Sequence, residues 1–550
     1  MPVTSGTSPY TGQEGLYRAC LRRLKGFFQK NLWERSKTFH VGKYMNTFYT
    51  TTSIPYASQK PHIGNTYEAI LTDAVARYHK LLGDDVYFLT GTDEHGEKIE
   101  RLAEAAGVTP QQFVDTVTAE LRHEWDACMV EPDDFIRTTE QRHMDIVKRM
   151  FKKLYDQGDI YKGAYEGWYC VPDEAFYTDS QVVKAESGHV CPDCGRPVEK
   201  LKEETYFFRL SAYADRLAAH IEAHPEFIQP ESRKNEMVNG YVKPGLQDFS
   251  VSRTSFTWGV PVEFDPGHVM YVWVDALSNY ITALGYDPDG KSGELFEKYW
   301  PCDVHILGKD VLRFHTLYWP GMLMALGLPL PRSIYGHPWY LMNSDKMSKS
   351  RGTAIYASEL AERYGVDCVR YYCLREMPVS RDGNISHELL ASRCNTDLAN
   401  DLGNLASRSI TMAEKYFQGD VYPEETPENE VLALCAASKD RVKGAMDGLS
   451  TQLALTEAMS PVVRANRFID ETSPWILAKD PGKAEDLKGV LYTLLETLRN
   501  ASVTLYPVMP LAMGKLRAQL GLPEVPVWEE TPPKGFSVKR GENLFPRIEL

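Results

Sequence analysis

From Asn46 to Tyr56 the chain alternates, placing Phe48, Thr50, Thr52 and Ile54 on one side until Pro55 breaks the run. A period of two with β-branched residues predicts a strand. From Asn65 the apolar spacing turns helical through "NTYEAILTDAVARYHKLLG" and closes at Gly83, where glycine favours a helix end. "DDVYFLTGTDEHG" follows as a short apolar run ending in a polar cluster. Strand, helix and buried-type strand describe a βαβ unit of a parallel sheet. Ligands of such sheets sit beyond the carboxyl ends of the strands. Both polar clusters, "PYASQKPHIGN" and "GTDEHGEK", fall there.

Two helices come next. Thr109 to Gln112 reads as a capping box with Pro110 at the first helical position, leading into Phe113, Val117 and Leu121. Thr138 to Gln141 repeats the device before Ile146, Met150 and Leu154. Residues 161–236 break into short, turn-rich pieces around cysteines and read as an insertion. Strand-like runs return at "HVMYVWVDAL", "DVHILGKD" and "RSIYGHPWYLM". Beyond about Leu389 the pattern is helical, with Leu491, Leu494, Leu495 and Leu498 on one face and "VLALCAASKDRVKGAM" behaving alike. "GDVYPEETPENE" separates helices, and the last stretch, rich in proline and charge, predicts an irregular tail that packs back.

The fold class expected is therefore α/β. A Rossmann-type parallel sheet, in residues 45–160 and 237–335, is split by the inserted module at 161–236. A loop region spans 336–390 and an α-helical bundle 391–550. At this length roughly three or four domains are expected.

Composition changes this picture only at the edges. A net charge of −14 excludes a chain that coats nucleic acid indiscriminately, although a local basic face can still bind RNA. No run reaches the roughly 18 apolar residues that span a bilayer. The first 44 residues, with "YRACLRRLKGFFQKNLWERSK", are basic and lack a secretory apolar core. They fit a transit peptide or, the reading preferred, a non-essential extension and the least ordered part of the chain. Ten cysteines are scattered, with one close pair, Cys191 and Cys194. Without a secretory signal this pair points to a metal site ahead of a disulfide framework.

The chemistry is carried by two strings. "SDKMSKSRGT" (344–353) sets Lys346 and Lys349 among serines before Gly352. Alone it reads as a surface turn; it is also how a mobile loop would grip a triphosphate. "PHIGN" places His62 and Asn65 around Gly64 where a strand gives way to a helix. There a close backbone approach and free N–H groups favour phosphate. Either string alone is weak. Both together, on a split parallel sheet, are hard to assign to chance.

"PHIGN" and "KMSKS" resemble the two signatures of class I aminoacyl-tRNA synthetases. "SIPYASQKPHIGN", "TGTDEHG", "YVWVDAL", "GKDVLRFH" and "ETSPWILAK" resemble, in order, the methionyl-tRNA synthetase family, from about Met45 to the C-terminus. Families for leucine, isoleucine, valine and cysteine share the two signatures but not the aromatic set or the tryptophan motif.

The resemblance implies that methionine attacks the α-phosphate of ATP, giving methionyl-adenylate and pyrophosphate, and that methionine then passes to the 3′-terminal adenosine of tRNA(Met), including the initiator. Positioning and cation stabilisation would dominate that chemistry. It implies His62, Asn65, Lys346 and Lys349 as the catalytic set, with Gly64, Glu68, Gly308, Lys309, Asp310 and Ser348 completing the ATP site. Mg²⁺ accompanies ATP. Histidine is the family's common residue where Asn65 stands; asparagine still donates, so altered strength and retained chemistry are expected. For methionine the resemblance implies Asp93 as the ammonium ligand with Arg253 as its partner. The implied wall is Ile54, Tyr56, Trp273, Ala276, Tyr280, Val311, Phe314 and His315. Aromatic contact with a thioether contributes about 0.3–1.5 kcal/mol each. Packing alone rejects one missing methylene by only about 10–200-fold, which makes homocysteine the difficult competitor.

"HVCPDCGRP" supplies half of a zinc knuckle, Cys191 and Cys194, and Cys170 begins the other half. Aspartate stands at 173 where a second cysteine would complete it. A structural Zn²⁺ on Cys170, Asp173, Cys191 and Cys194 is expected, with His189 as a rival fourth ligand. The inserted module would position the acceptor end of tRNA. In the bundle the resemblance implies Asn404, Arg408 and Trp475 for the anticodon, by base-edge contacts and stacking. A cytoplasmic monomer is expected, with no membrane or DNA partner. The chain leaves no room after the bundle for the further tRNA-binding domain that drives dimerisation in many members.

Overall fold

Six parallel strands form the central sheet of the structure, a computed structural model that describes residues 46–549 except 172–174, 178, 180, 186, 187, 193, 343, 344 and 347–353. The N-terminal extension and most of the "KMSKS" string thus lie outside the described residues. The strands are β1 (Thr47–Thr52), β2 (Asp85–Thr92), β3 (Asp134–Arg137), β4 (Ile228–Gln229), β5 (Val304–Gly308) and β6 (Ser333–His337), in the order β3-β2-β1-β5-β6-β4. Every neighbouring pair runs parallel. The order reverses between β1 and β5, and a crevice at such a switch point is where ligands bind.

β1 is rich in threonine yet buried, so its hydroxyls need partners. Thr52 Oγ1 lies 2.6 Å from Thr90 Oγ1, and Thr51 Oγ1 lies 2.8 Å from His305 Nδ1. Gly91 in β2 is required by close approach, since a Cβ there would stand 1.9 Å from the Ile136 carbonyl oxygen. The helix after β1 spans Ile63–Leu82 and ends at Gly83, whose φ of 90° suits glycine. The capping box at Thr109 forms as expected.

Two expectations fail for clear reasons. Only Val269–Met270 of "HVMYVWVDAL" is strand; Val272–Thr282 is helix. That helix is buried almost all round, which removes the polar alternation that would distinguish it from a buried strand. Thr138 does not cap the next helix, Gln141–Asp156, whose N-cap is Glu140 with no side-chain bond. Instead Thr138 Oγ1 accepts from the Glu94 amide and Thr139 donates to the Glu94 carboxylate. A tertiary partner displaced the local one.

The insertion is built on an antiparallel hairpin, Ile160–Cys170 with Glu199–Phe208. At its far end Cys170, Tyr177, Val182, Cys191 and Val198 make a small separate core. In the bundle, Leu491, Leu494, Leu495 and Leu498 are fully buried. One core runs without a break from the Ile63–Leu82 helix to the bundle helices, and residues 46–550 form one compact unit. Arg370 pins that junction. Its wholly buried guanidinium donates to Asp73 Oδ2 at 2.7 Å and to the carbonyls of Val508, Pro507 and Cys128 at 2.8, 3.0 and 3.0 Å. The tail packs back as expected. Trp528 lies edge-on to Tyr78 and donates its amide to the Leu81 carbonyl, and Phe536–Ser537 pairs with Asp420–Val421.

Candidate active site

His62 caps the helix that leaves β1. Its Nδ1 accepts from the Gly64 amide at 3.1 Å, and Asn65 Oδ1 accepts from the His62 amide at 3.3 Å. These two bonds orient both side chains. With Nδ1 accepting, His62 carries its ring proton on Nε2, and the Asn65 amide nitrogen is likewise a donor; N–H groups of this kind are what phosphate oxygens accept from. The described residues just after the other signature meet this turn from the far half of the chain. The Ile63 amide donates to the carbonyl of Ile355, two residues past Thr353, at 2.8 Å. Lys60 lies 4.1 Å from the Tyr356 ring centroid and pairs with Glu124, which also accepts from Ser358. On the loop's other side Lys346 pairs with Leu341 in a two-strand ladder; Ser348 and Lys349 lie outside the described residues.

Glu68 sits under this junction. Its Oε1 accepts from the amide and hydroxyl of Ser53 at 2.7 and 2.6 Å, and its Oε2 accepts from the Gly308 amide at 2.9 Å and lies 3.0 Å from His337 Nε2. One carboxylate therefore ties the ends of β1, β5 and β6. The structure gives Glu68 a place beside the crevice at the strand ends, with its oxygens engaged by protein. Lys309 pairs with Asp382 at 2.7 Å and lies 4.1 Å over Trp339, whose Nε1 donates to Asp310 at 3.1 Å. Asp382, Trp339 and His337 carry no local signal, and only the fold brings them to Lys309 and Glu68.

Asp93 stands at the end of β2 and is locked by backbone bonds. Its amide donates to Pro55 and its carbonyl accepts from Ala57, which sets Tyr56 beside it. Arg253 is fully buried, donating to Ser250 Oγ and the Ser252 carbonyl at 2.8 and 2.6 Å with the Tyr271 ring 4.2 Å away. Five residues on, Trp258 Nε1 donates to the Glu94 carbonyl at 2.6 Å, so the chain after Arg253 docks beside Asp93.

The residues expected to wall the pocket fall largely on two helical segments. Trp273, Ala276 and Tyr280 share one face of Val272–Thr282 at helical spacing. Val311, Phe314 and His315 follow β5. Trp273 stacks on Phe314 with centroids 3.8 Å apart and planes 8° apart, edge-on to His315. Trp273 Nε1 is buried with no acceptor among the described residues. His315 Nδ1 lies 2.9 Å from the Val311 carbonyl, which can only accept, so Nε2 accepts from the Tyr280 hydroxyl at 2.7 Å. Burial pushes His315 down to about 4, keeping the ring neutral and that order of donors fixed. Tyr280 and His315 thus find the partners their burial requires, whereas Trp273 Nε1 finds none among the described residues.

Asp275 was not foreseen. Buried on the same helix, it binds His95 Nδ1 at 2.7 Å and His143 Nε2 at 2.8 Å. It therefore locks the wall helix to the Asp93 loop. Burial alone would raise its carboxyl, but the two rings outweigh that and hold it at about 2. The folded value lies below the unfolded one, so the stabilisation is complete above about pH 4 and lost as pH falls through about 2. The gap corresponds to about 2 kcal/mol. Urea unfolding of Asp275→Asn should show that deficit at pH 7, and the deficit should close in strong acid.

The comparisons with known proteins speak to this geometry. The family model described as tRNA synthetases class I (M) matches residues 48–410. The chain belongs to the class I tRNA synthetases. It is 52% identical over 511 residues to the methionine–tRNA ligase of Clostridium perfringens (92% of this chain, 78% of that one). The ligase of Bacillus subtilis is 49% identical over 521 residues, with the same coverage. The structure of Mycobacterium tuberculosis methionyl-tRNA synthetase in complex with methionyl-adenylate superposes with a TM-score of 0.88 at 42% identity, covering 92% of this chain and all of that one.

In this synthetase the cysteine cluster forms as expected in part. The sulfurs of Cys170, Cys191 and Cys194 lie within 4.8 Å of one another, with Cys170 and Cys194 at 3.6 Å. Asp173 lies outside the described residues. His189 does not join the cluster; its ring stacks on Trp168 with centroids 4.2 Å apart. In the bundle, Asn404 and Arg408 lie one turn apart on Asn404–Phe417. Arg408 reaches Asp470 at 3.3 Å, near the end of the Thr451–Thr472 helix. Trp475 follows three residues after that helix and is 42% exposed, so it is no core plug. The three residues share one end of the bundle.

Proposed function

We infer that this chain is a methionine–tRNA ligase, an aminoacyl-tRNA synthetase that makes methionyl-adenylate from methionine and ATP and then charges tRNA(Met). The observation that carries the reading is the Ile63–Ile355 bond, which brings the turn bearing His62 and the chain two residues past Thr353 together at the switch-point end of the sheet. The methionine carboxylate oxygen attacks the α-phosphorus, and the bond to pyrophosphate breaks. His62 and Asn65 donate to phosphate oxygens. Lys346 and Lys349 stabilise the charge that develops on the β- and γ-phosphates as the loop closes. Gly64, Gly308, Lys309, Asp310 and Ser348 line the nucleotide, and Mg²⁺ arrives with ATP. Glu68 acts by holding three strand ends in place. Asp93, with Arg253 behind it, takes the ammonium. Ile54, Tyr56, Trp273, Ala276, Tyr280, Val311, Phe314 and His315 enclose the thioether. The superposed relative bound to methionyl-adenylate supports that division of the crevice. Methionine-stimulated exchange of pyrophosphate into ATP tests the function; tRNA binding without it would mark a non-catalytic relative.

The three thiols suit zinc. Zn–S bonds of about 2.3 Å in a tetrahedron place sulfurs about 3.8 Å apart, close to the 3.6 Å between Cys170 and Cys194. Asp173 is the fourth ligand we favour, and the metal's part is structural. Elemental analysis should find one zinc per chain, and Cys191→Ser should lose it together with several degrees of thermal stability.

Asn404, Arg408 and Trp475 form the anticodon-reading surface. Stacking on an aromatic ring contributes about 1–3 kcal/mol per base. Trp475→Ala is therefore expected to lower kcat/KM for charging of elongator and initiator tRNA by about five- to 150-fold, leaving adenylate synthesis unchanged. Equal loss in both assays would remove this assignment. Among the described residues no helix is long and apolar enough to cross a membrane. A cytoplasmic monomer is the setting we propose.

A further inference from the structure

Two buried tyrosines of the insertion, Tyr169 and Tyr177, have arginines from the catalytic half 5.5 and 5.9 Å from their ring centroids. Tyr177 belongs to the small core around the cysteines, and its hydroxyl accepts from Cys191 Sγ at 3.3 Å. The same ring lies against the catalytic half, with the Arg313 guanidinium carbon 5.9 Å from its centroid. Arg313 also lies 5.6 Å from the ring of Tyr241 and 4.7 Å from that of Phe314. Phe314 in turn stacks on Trp273. A continuous series of flat groups thus runs from the cysteine cluster to the pocket wall.

A second contact runs beside it. Tyr169 directly precedes Cys170 and is buried, and the Arg253 guanidinium carbon lies 5.5 Å from its ring centroid. Arg253 is the residue behind the ammonium site. The two tyrosines therefore pack near two arginines, one beside Phe314 and one read as the partner of Asp93.

A guanidinium held between aromatic faces takes its orientation from those faces. Remove one face and the planar group can turn, so that the ring packed on it loses a fixed neighbour. The pocket then holds its ligand in a wider range of positions, and small misplacements weaken binding.

We propose that Tyr177 is a positioning residue for methionine, acting through Arg313 on Phe314 and Trp273, with Tyr169 and Arg253 bracing the ammonium side. The insertion thereby takes part in choosing the amino acid. This rests on the reading of the crevice as a methionine site.

The test uses the full chain, with methionine-dependent pyrophosphate exchange and calorimetric methionine binding as separate readouts. Tyr177→Leu is expected to raise the methionine KM and Kd by about two- to fivefold, with kcat and the ATP KM within about twofold of wild type. Its preference for methionine over homocysteine should fall. Tyr177→Phe keeps the ring and should restore both values. A merely structural role would lower the active fraction, and so kcat, without moving KM. If Tyr177→Leu does not fold, Arg313→Leu probes the same path from the catalytic side and should give the same rise, with Arg313→Lys giving less. The double variant Tyr177→Leu/Arg313→Leu should be no worse than the poorer single one, as for two residues on one path. An unchanged methionine Kd in folded Tyr177→Leu or in Arg313→Leu overturns the proposal, as does failure of Tyr177→Phe to restore it. Absence of any methionine-dependent exchange in wild type is a different result and would overturn the functional reading beneath it.

Discussion

Glu68→Gln is expected to lower methionine-dependent pyrophosphate exchange by roughly two to three orders of magnitude, the scale on which a misplaced reacting group acts. The wild-type carboxylate receives three donors, the Ser53 amide and hydroxyl and the Gly308 amide, with His337 Nε2 3.0 Å from Oε2. A carboxamide has the same shape but brings two N–H donors of its own, so one end must face donors with a donor. Relief requires β1, β5 or β6 to shift at its carboxyl end. Those ends carry the turn to His62 and the Gly308–Asp310 segment. The loss should therefore fall on kcat and on ATP affinity, with methionine affinity less affected. Steady-state exchange kinetics with each substrate varied will show the split. Near-wild-type kcat in Glu68→Gln would mean that the three strand ends hold their spacing without it.

Arg370→Met should be the most destabilising single change at the sheet–bundle junction, by about 3–5 kcal/mol. The side chain's volume is largely kept, yet the buried Asp73 carboxylate loses one of its two cations at 2.7 Å. The Val508, Pro507 and Cys128 carbonyls also lose their donor. Asp73 retains Arg77 at 2.7 Å, which limits the loss. Because one core crosses the junction, unfolding should lose cooperativity as well as free energy. Denaturant titration followed by far-ultraviolet dichroism and by tryptophan fluorescence will test this, with coincident, unshifted curves as the contrary outcome.

The sequence made the central sheet legible because β1 alternates cleanly and the next helix carries its own stop at Gly83. The bundle was legible for a similar reason, since Leu491, Leu494, Leu495 and Leu498 can share a face only in a helix. Val272–Thr282 was misread because a helix wrapped on all sides by protein shows no polar face, and "HVMYVWVDAL", apolar but for His268 and Asp275, fits either form. Thr138 was misread because Glu94, far away in sequence, competes for its hydroxyl. The candidate site divided along the same line. His62 and Asn65 announce themselves through a local cap, and the resemblance supplied the rest of the proposed set. Asp275, His143, His337 and Asp382 acquire meaning only from neighbours more than 40 residues away, so no local pattern could have marked them.

The docking of Trp528 on the Ile63–Leu82 helix has a consequence for biosynthesis. Tyr78 and Leu81 leave the ribosome about 450 residues before the ring that covers them. At about 5–20 residues per second, that apolar surface stays bare for roughly twenty seconds to a minute and a half. The nascent nucleotide half must therefore wait, shielded by chaperones or by its own transient collapse, until translation of the far end delivers its lid.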